Sequence, residues 1–245
     1  MKPELRFNVL TNEWVIISPE RSQRPLEFTP YQHPPATNDY EPDCPFCAGN
    51  EHLTSQETYR IPNGNSWLTR SVLNKFPALY PDVAPTRNGS YTNFSIAGFG
   101  IHEVIIDAPE HNLTLSRYSH TQTVNLLKTY HQRYVQCEQT PGIVHIIIFK
   151  NHGDKAGSSL VHPHSQLVAV PVVSNQIDDR LRITRDYIKH RGECLVCHII
   201  KSEIEQNKRI IFKSKHFVAM LPYAALSCYH TWIMPLKHNA AFSAL

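Results

Sequence analysis

No apolar run in the chain approaches the roughly 20 residues of a membrane-spanning helix, which argues against an integral membrane protein. The N-terminus, Met-Lys-Pro-Glu-Leu-Arg, has no apolar core of the kind that secretion signals carry, so we expect a cytoplasmic protein. The chain also lacks a strong excess of either charge. Its 24 basic and 21 acidic side chains give a formal net charge of +3, too little for a nucleic-acid-binding surface. The remaining class is a globular chain of 245 residues with one large domain or two smaller ones.

Four of the six cysteines form two Cys-x-x-Cys pairs, at 44–47 and 194–197. Without an export signal, this spacing indicates metal ligation or redox chemistry rather than disulfides. A redox pair usually opens a helix of a βαβ unit, whereas the first pair lies in the Pro- and Asn-rich stretch 34–50, which favours a zinc knuckle. Cys137 and Cys228 have no such partner, and we predict that both are buried packing residues.

Two histidines flank Pro163 after a polar, glycine-bearing loop, between apolar segments that are predicted strands (Ile143–Phe149 and Leu167–Val173). His162 and His164 are two residues apart, so on extended backbone both rings point to the same side. Such a pair suggests a nucleophile or base, a metal ligand, or one of each. Two ordinary surface histidines are the alternative, because short motifs also occur by chance.

The chain repeats part of its own pattern. Each Cys-x-x-Cys pair is followed by a short apolar strand that runs into Pro and, shortly afterwards, into His-Asn, at 99–112 and at 227–239. This recurrence predicts an internal duplication. The second copy stops before any counterpart of the His-Pro-His segment, which predicts a fragment or a naturally truncated protein.

Hydrophobic periodicity predicts a mixture of strands and helices. The further predicted strands are Glu13–Ser18, Trp67–Asn74, His102–Asp107, Arg209–Lys213, His216–Leu221 and His230–Met234, and the predicted helices are Thr121–Val135, Ile177–Arg191 and Cys194–Asn207.

A structural zinc ion usually takes four ligands, of which the first cysteine pair would supply two. The remaining candidates are His111, at a strand end, and either His162 or His164. If one imidazole of the pair binds the metal, the metal fixes the loop and leaves the other imidazole free for chemistry. His164, followed by the hydrogen-bonding residues Ser165 and Gln166, is the better nucleophile.

A neutral histidine that attacks phosphorus forms a phosphoramidate and divides a displacement into two steps. The phosphoryl oxygens then need hydrogen-bond donors. Gln166, the hydroxyls of Ser158 and Ser159, and the backbone around Gly153 and Gly157 could provide them.

Several segments of the chain match one family. They are Asn151-x-Gly-x-x-x-Gly-Ser-Ser-x-x-His-Pro-His-x-Gln166, Ser18-Pro-Glu-Arg-Ser-Gln-Arg-Pro25, the first Cys-x-x-Cys pair, Asn74-Lys-Phe-Pro-Ala-Leu79 and Pro109-Glu-His111. Through them the chain resembles the galactose-1-phosphate uridylyltransferase family, the duplicated branch of the histidine-triad superfamily. The resemblance implies an α+β fold of duplicated histidine-triad units with antiparallel half-barrel sheets and packed helices. It predicts a first unit at 1–175, an incomplete second unit at 176–245, and a homodimer if that second unit is complete.

The resemblance also implies roles for individual residues. It implies that His164 is the nucleophile and that Gln166 hydrogen-bonds the phosphoryl group. The implied Zn²⁺ ligands are Cys44, Cys47, His111 and His162, with a possible second site at Cys194, Cys197 and His238. The implied substrate contacts are Arg21, Arg24, Asn74, Asn151 and Ser159, to which we add the loop donors Gly157 and Ser158.

The chain departs from enterobacterial-type members at three places. Lys75 stands where those enzymes have Asp, and Ser165 replaces a Gly inside His-Pro-His-Gly-Gln. The region after Gln166 carries Asp178 and Asp179 but no glutamate, which argues against the iron site of some members. With Cys194, Cys197 and His238, these departures make the chain resemble the two-zinc subgroup, which includes ADP-glucose phosphorylases as well as bacterial uridylyltransferases. The fourth ligand of its second zinc would lie beyond Leu245.

The leading functional hypothesis is a transferase that exchanges UMP between UDP-glucose and galactose 1-phosphate through a covalent uridylyl-histidine. The alternative with the same chemistry is a phosphorylase of ADP-glucose or of a dinucleoside polyphosphate. A truncated, non-catalytic nucleotide-binding protein is a third hypothesis, and a thiol-redox protein is disfavoured because the βαβ context is missing.

Overall fold

The computed structural model describes residues 2–23 and 38–245. Its strands are β1 (Glu4–Asn8), β2 (Glu13–Ile17), β3 (Glu57–Asn63), β4 (Ser66–Leu73), β5 (Arg87–Asn88), β6 (Ser95–Ile96), β7 (Ile101–Ile106), β8 (His145–Phe149), β9 (His164–Val170), β10 (Ile210–Lys213), β11 (Phe217–Met220) and β12 (Trp232–Pro235). Its helices are α1 (His120–Glu138), α2 (Asn175–Arg191) and α3 (Leu195–Gln206). The predicted α+β class is confirmed. Strands β1, β3, β5 and β6 were not predicted. Glu4–Asn8 and Glu57–Asn63 mix polar residues with few apolar ones, and β5 and β6 have only two residues each.

The chain divides into two compact units. The first, which we call the central unit, is His33–Val173, and the second, the terminal unit, joins Met1–Gln32 to Ser174–Leu245. The break after Val173 lies close to the expected boundary at 175, and the N-terminal residues group with the C-terminal ones. The assignment of 1–175 and 176–245 to two duplicated domains stays a prediction.

The central unit is built on a five-stranded antiparallel sheet with the strand order β3-β4-β7-β9-β8. Helix α1 begins after Ser119, whose hydroxyl accepts a hydrogen bond from the Gln122 backbone N–H and so caps the helix. Its buried residues recur every three or four positions and pack on one face of the sheet. The core between them contains Ile101, Ile105, Leu126, Cys137, Leu167 and Ala169.

The opposite face of the same sheet carries the first Cys-x-x-Cys pair. Its core contains Cys44, Phe46, Cys47, Trp67, Val72, Val104 and Ile106. Because side chains alternate along a strand, Val104 and Ile106 of β7 point to this face while Ile105 points to α1. The same alternation in β9 places His164 and Gln166 on the cysteine face and Ser165 on the helix face.

A buried ion pair links α1 to strand β7 of the sheet. The guanidinium of Arg133 on α1 donates to both carboxylate oxygens of Glu103, at 2.8 and 2.5 Å, and Ser71 on β4 donates to the same carboxylate at 2.8 Å. Such bidentate, charge-assisted bonds satisfy a carboxylate that is fully buried. The pair therefore fixes α1 relative to β7, which also contributes Val104 and Ile106 to the cysteine face.

The terminal unit contains the β1–β2 hairpin and a three-stranded antiparallel sheet in the order β10-β11-β12. Helix α2 ends at Gly192, whose φ of +73° is the left-handed conformation that glycine adopts most readily. The core of this unit contains Ile200, Val218 and Met220.

The predicted repeat has a structural counterpart. Strands β3, β4 and β7 lie side by side in chain order, as β10, β11 and β12 do. Each set follows a Cys-x-x-Cys pair and precedes a His-Asn pair, which supports the predicted duplication.

Two remaining predictions of the sequence concern burial and membranes. Cys137 is buried as predicted, whereas the prediction for Cys228 is wrong: its side chain is exposed because it lies in a turn before β12. Among the described residues, no helix combines the length and the hydropathy that a membrane span requires.

Candidate active site

The pairing of β7 with β9 brings the candidate residues to one end of the central sheet. The Asp107 backbone N–H, just after β7, donates to the Pro163 carbonyl, just before β9, at 3.1 Å. The segment that follows β7 contains His111, and the segment that precedes β9 contains His162. Antiparallel pairing therefore gathers residues that are about fifty positions apart in sequence.

Four residues at this sheet end could hold a metal ion: the ligand atoms of Cys44, Cys47, His111 and His162 all lie within 4.8 Å of one another. The Cys47 Sγ lies 3.5 Å from His111 Nδ1 and 3.6 Å from His162 Nδ1. A tetrahedral zinc ion with bonds of about 2.3 Å to sulfur and about 2.0 Å to nitrogen would hold such atoms about 3.5 Å apart. Both the donor set and its spacing therefore fit a four-coordinate metal.

The turn that carries the cysteines is held by its own hydrogen bonds. The Phe46 backbone N–H lies 3.4 Å from the Cys44 sulfur, and the Glu41 N–H lies 3.3 Å from the Cys47 sulfur. The Asn50 side chain donates to the carbonyls of Cys44 and Pro42, at 2.8 Å each. N–H groups directed at the sulfurs favour thiolates, the form in which cysteine binds metals.

His162 presents a defined nitrogen to the cysteines. It is fully buried, and its Nε2 lies 2.8 Å from the Ala108 carbonyl. Because a carbonyl only accepts, Nε2 carries the proton and Nδ1 keeps its lone pair for a metal, the arrangement usual for metal-ligating histidine. Burial lowers the pKa of His162 to about 4, so the ring is neutral as a ligand must be. Burial also raises the pKa of the Cys44 thiol to about 11, so a thiolate there needs a compensating cation.

In His164 the nitrogen that stays free is Nε2, whereas in His162 it is Nδ1. The His164 Nδ1 lies 2.9 Å from the His162 carbonyl oxygen, so Nδ1 donates and Nε2 keeps a free lone pair. The ring is 8% exposed, and the Phe46 ring packs against it with the ring centroids 5.5 Å apart. Strand β9 begins at His164 and not at Leu167 as predicted, because its pairing with β7 already starts between His164 and Ile106. The nucleophile candidate is therefore held by sheet pairing as well as by packing.

A polar network that the sequence did not reveal lies behind His164. The Lys150 ammonium donates to the His164 carbonyl at 2.9 Å and to the Asp107 carboxylate at 2.7 Å. The fully buried Asp107 also accepts from Ser165 at 2.9 Å and from the Tyr118 hydroxyl at 3.0 Å. Ser165, one of the departures noted from the sequence, thus has a partner on the helix face of the sheet. The network therefore fixes the backbone at His164, the nucleophile candidate.

Replacing Lys150 with Met should destabilise the protein by about 3 kcal/mol, because the Asp107 carboxylate would stay buried without its counter-ion. Urea unfolding measures the change, and Lys128→Met on the exposed side of α1 is the matched control, with a change expected to stay within about 0.5 kcal/mol. Equal stability of the two variants would contradict a structural role of the Lys150–Asp107 pair.

A second, smaller cluster lies in the terminal unit. The ligand atoms of Cys194, Cys197 and His238 lie within 4.8 Å of one another, with the Cys197 sulfur 3.2 Å from His238 Nδ1. Among the residues described, this cluster has three of the four ligands that a closed zinc site takes. His238 is exposed, and the geometry agrees with the possible second site that the sequence suggested.

The sequence profile of "Galactose-1-phosphate uridyl transferase, N-terminal domain" matches residues 1–174. The chain belongs to the galactose-1-phosphate uridylyltransferase family. One relative in the family is an ADP-glucose phosphorylase of Arabidopsis thaliana, 37% identical over 99% of this chain and 68% of its own length. Another is a galactose-1-phosphate uridylyltransferase of Thermotoga maritima, 29% identical over 96% of this chain and 67% of its own length.

A solved structure of the family resembles the whole chain. It is the crystal structure of an ADP-glucose phosphorylase from Arabidopsis thaliana with bound ADP-glucose, 35% identical, with a TM-score of 0.82. The alignment covers 100% of this chain and 72% of that one. The agreement confirms the fold that the resemblance to the uridylyltransferase family predicted.

The substrate contacts expected from the uridylyltransferase family fall into two groups in the central unit. Asn151, Gly157, Ser158 and Ser159 share the loop between β8 and β9. Gly157 ends a short turn with a φ of +82°, the Ser158 hydroxyl donates to the Leu160 carbonyl at 2.9 Å, and Asn151 and Ser159 are exposed. The second group is Asn74 and Gln166, which both contact His102.

Of the two expected arginines, Arg21 is described and does not belong to the central unit. Arg21 is exposed in the short helix Pro19–Gln23 of the terminal unit, and Arg24 lies outside the described residues.

Proposed function

We propose that the chain is a nucleotidyltransferase that carries a nucleoside monophosphate on His164 Nε2. The observation that supports this most directly is the hydrogen bond of 2.9 Å from His164 Nδ1 to the His162 carbonyl, because it leaves Nε2 as the nucleophilic nitrogen. His162, two residues earlier, faces the cysteines with its own Nδ1. The two histidines therefore divide metal ligation and nucleophilic attack between them.

The reaction has two displacements at one phosphorus. In the first, the His164 Nε2 lone pair attacks the α-phosphorus of a nucleotide sugar, the bond to the bridging oxygen breaks, and the sugar 1-phosphate leaves. In the second, a phosphate oxygen of the acceptor attacks the same phosphorus, and the phosphorus–nitrogen bond breaks to restore the imidazole. Gln166, on the same face of β9 as His164, would donate to the phosphoryl oxygen. The loop residues Asn151, Gly157, Ser158 and Ser159, with Asn74, would hold the rest of the substrate.

We propose that the metal at Cys44, Cys47, His111 and His162 is Zn²⁺. Two sulfur and two nitrogen ligands with tetrahedral spacing suit zinc, and a closed set of four suits a structural ion. When bound, it would fix the cysteine turn to the segments that follow β7 and precede β9, and so anchor the loop before His164. A second Zn²⁺ at Cys194, Cys197 and His238 belongs to the same proposal.

The nucleotide and the acceptor distinguish two candidate reactions. Sequence identity of 37% to an ADP-glucose phosphorylase, and a TM-score of 0.82 to such an enzyme with bound ADP-glucose, favour ADP-glucose as donor and inorganic phosphate as acceptor. The exchange of UMP between UDP-glucose and galactose 1-phosphate, our first hypothesis from the sequence, is the second candidate and is supported by the relative from Thermotoga maritima. We propose in addition a cytoplasmic location and, if the second unit is complete, a homodimer.

The deciding experiment uses ADP-glucose and UDP-glucose, each labelled at the α-phosphate. We expect the protein to capture label from ADP-glucose, to release glucose 1-phosphate, and to yield labelled ADP when inorganic phosphate is added. Label from UDP-glucose that is discharged by galactose 1-phosphate would favour the uridylyltransferase. If neither donor labels the protein, the non-catalytic nucleotide-binding protein is the better hypothesis.

A further inference from the structure

His102 lies beside the proposed phosphoryl-binding residue. In the β7–β9 ladder Val104 pairs with Gln166 and His102 pairs with Val168, so His102 and Gln166 are diagonal neighbours on the face that carries His164. The His102 Nε2 lies 2.9 Å from the Gln166 Oε1. A ring nitrogen therefore meets the side-chain oxygen of the residue that would bind the phosphoryl group.

The hydrogen bond at Nδ1 determines the tautomer of His102. The Ala78 backbone N–H points at His102 Nδ1, at 3.0 Å, so Nδ1 must accept. A neutral imidazole with an accepting Nδ1 carries its proton on Nε2. The Asn74 amide nitrogen lies 3.1 Å from the same Nε2, but two N–H groups do not bond to each other. The Gln166 oxygen is thus the acceptor of the Nε2 proton.

We propose that His102 is a positioning residue that selects the amide orientation of Gln166; this inference rests on the proposed function. The oxygen and nitrogen of a glutamine side chain are nearly equal in size, and the terminal torsion allows both orientations. With its oxygen bound to His102, Gln166 presents its NH₂ group, which can donate to a phosphoryl oxygen. The reversed orientation would turn a carbonyl oxygen toward an anion.

Two variants separate this role from a purely structural one. In His102→Gln the amide nitrogen lies near the place of Nε2 and can still donate to Gln166. In His102→Asn the side-chain oxygen lies near the place of Nδ1 and can still accept from Ala78. We expect His102→Asn to form the labelled adduct about tenfold more slowly, the effect of one hydrogen bond, and His102→Gln to label nearly as fast as the unmodified protein. Donor affinity should change little in either variant.

A residue that only braces the turn at Ala78 would give the opposite order of rates, and that order would overturn the inference. A second test combines His102→Asn with Gln166→Ala: the added change should have no further effect on labelling, whereas additive losses would contradict action through Gln166. If the unmodified protein captures no label from either donor, the proposed function itself fails. If it captures label and His102→Asn does so at the same rate, only the positioning role fails.

Nuclear magnetic resonance tests the tautomer of His102 directly in the unmodified protein. Spectra of ¹⁵N-histidine, with His102 assigned from His102→Gln, should show the Nε2-protonated tautomer. A proton on Nδ1 would overturn the inference.

Discussion

His164→Asn should abolish the labelled adduct and lower turnover by several orders of magnitude, since no other group can take the place of a covalent nucleophile. Asparagine can keep a donor near the position of Nδ1, so the bond to the His162 carbonyl, and with it the fold, should survive. Capture of label from the α-phosphate of ADP-glucose measures the effect directly. The adduct of the unmodified protein should be stable to base and labile to acid.

Substitutions of the other active-site residues should reduce activity less than His164→Asn does. Gln166→Ala removes one donor to the phosphoryl group and should cost about 10²–10³ in rate. His162→Asn should lose the metal first and activity as a consequence, whereas Arg21→Ala and Arg24→Ala should act mainly on substrate binding. If His164→Asn still accumulated labelled protein, the covalent mechanism would be wrong.

Cys44→Ser should lose the metal of the central unit and destabilise that unit strongly. Binding of a structural zinc ion contributes about 10–16 kcal/mol to folding in small zinc domains. A variant with three of the four ligands should lose much of that contribution. Metal analysis of the purified protein and urea unfolding measure the two effects. Exposed Cys228 offers the matched control, and Cys228→Ser should change neither the metal content nor the unfolding midpoint.

The same zinc content in Cys44→Ser and in the unmodified protein would refute the assignment of this ligand. Removal of the metal by a chelator should reproduce the instability of the variant, because the four ligands come from segments that the ion would hold together.

Much of the fold could be predicted from the chain alone because its signals are local. Alternating or continuous apolar residues marked β4, β7 and β8, and helical periodicity marked α1. The Cys-x-x-Cys and His-Pro-His spacings marked Cys44, Cys47 and one histidine of the pair as candidate ligands, and the resemblance to the uridylyltransferase family implied that this histidine is His162. Strands β1 and β3 were missed because each is short and polar residues outnumber apolar ones in both.

The tertiary structure decided which nitrogen each histidine uses and what lies behind the site. His162 turns Nδ1 to the cysteines because its Nε2 meets the Ala108 carbonyl, a contact made only when β7 and β9 pair. The bonds from Lys150 to Asp107 and from His102 to Gln166 join residues 43 and 64 positions apart. Residue type and spacing determined the chemistry available to this protein. Strand order determined the partners, because cross-strand neighbours follow from pairing and register, which no local pattern encodes.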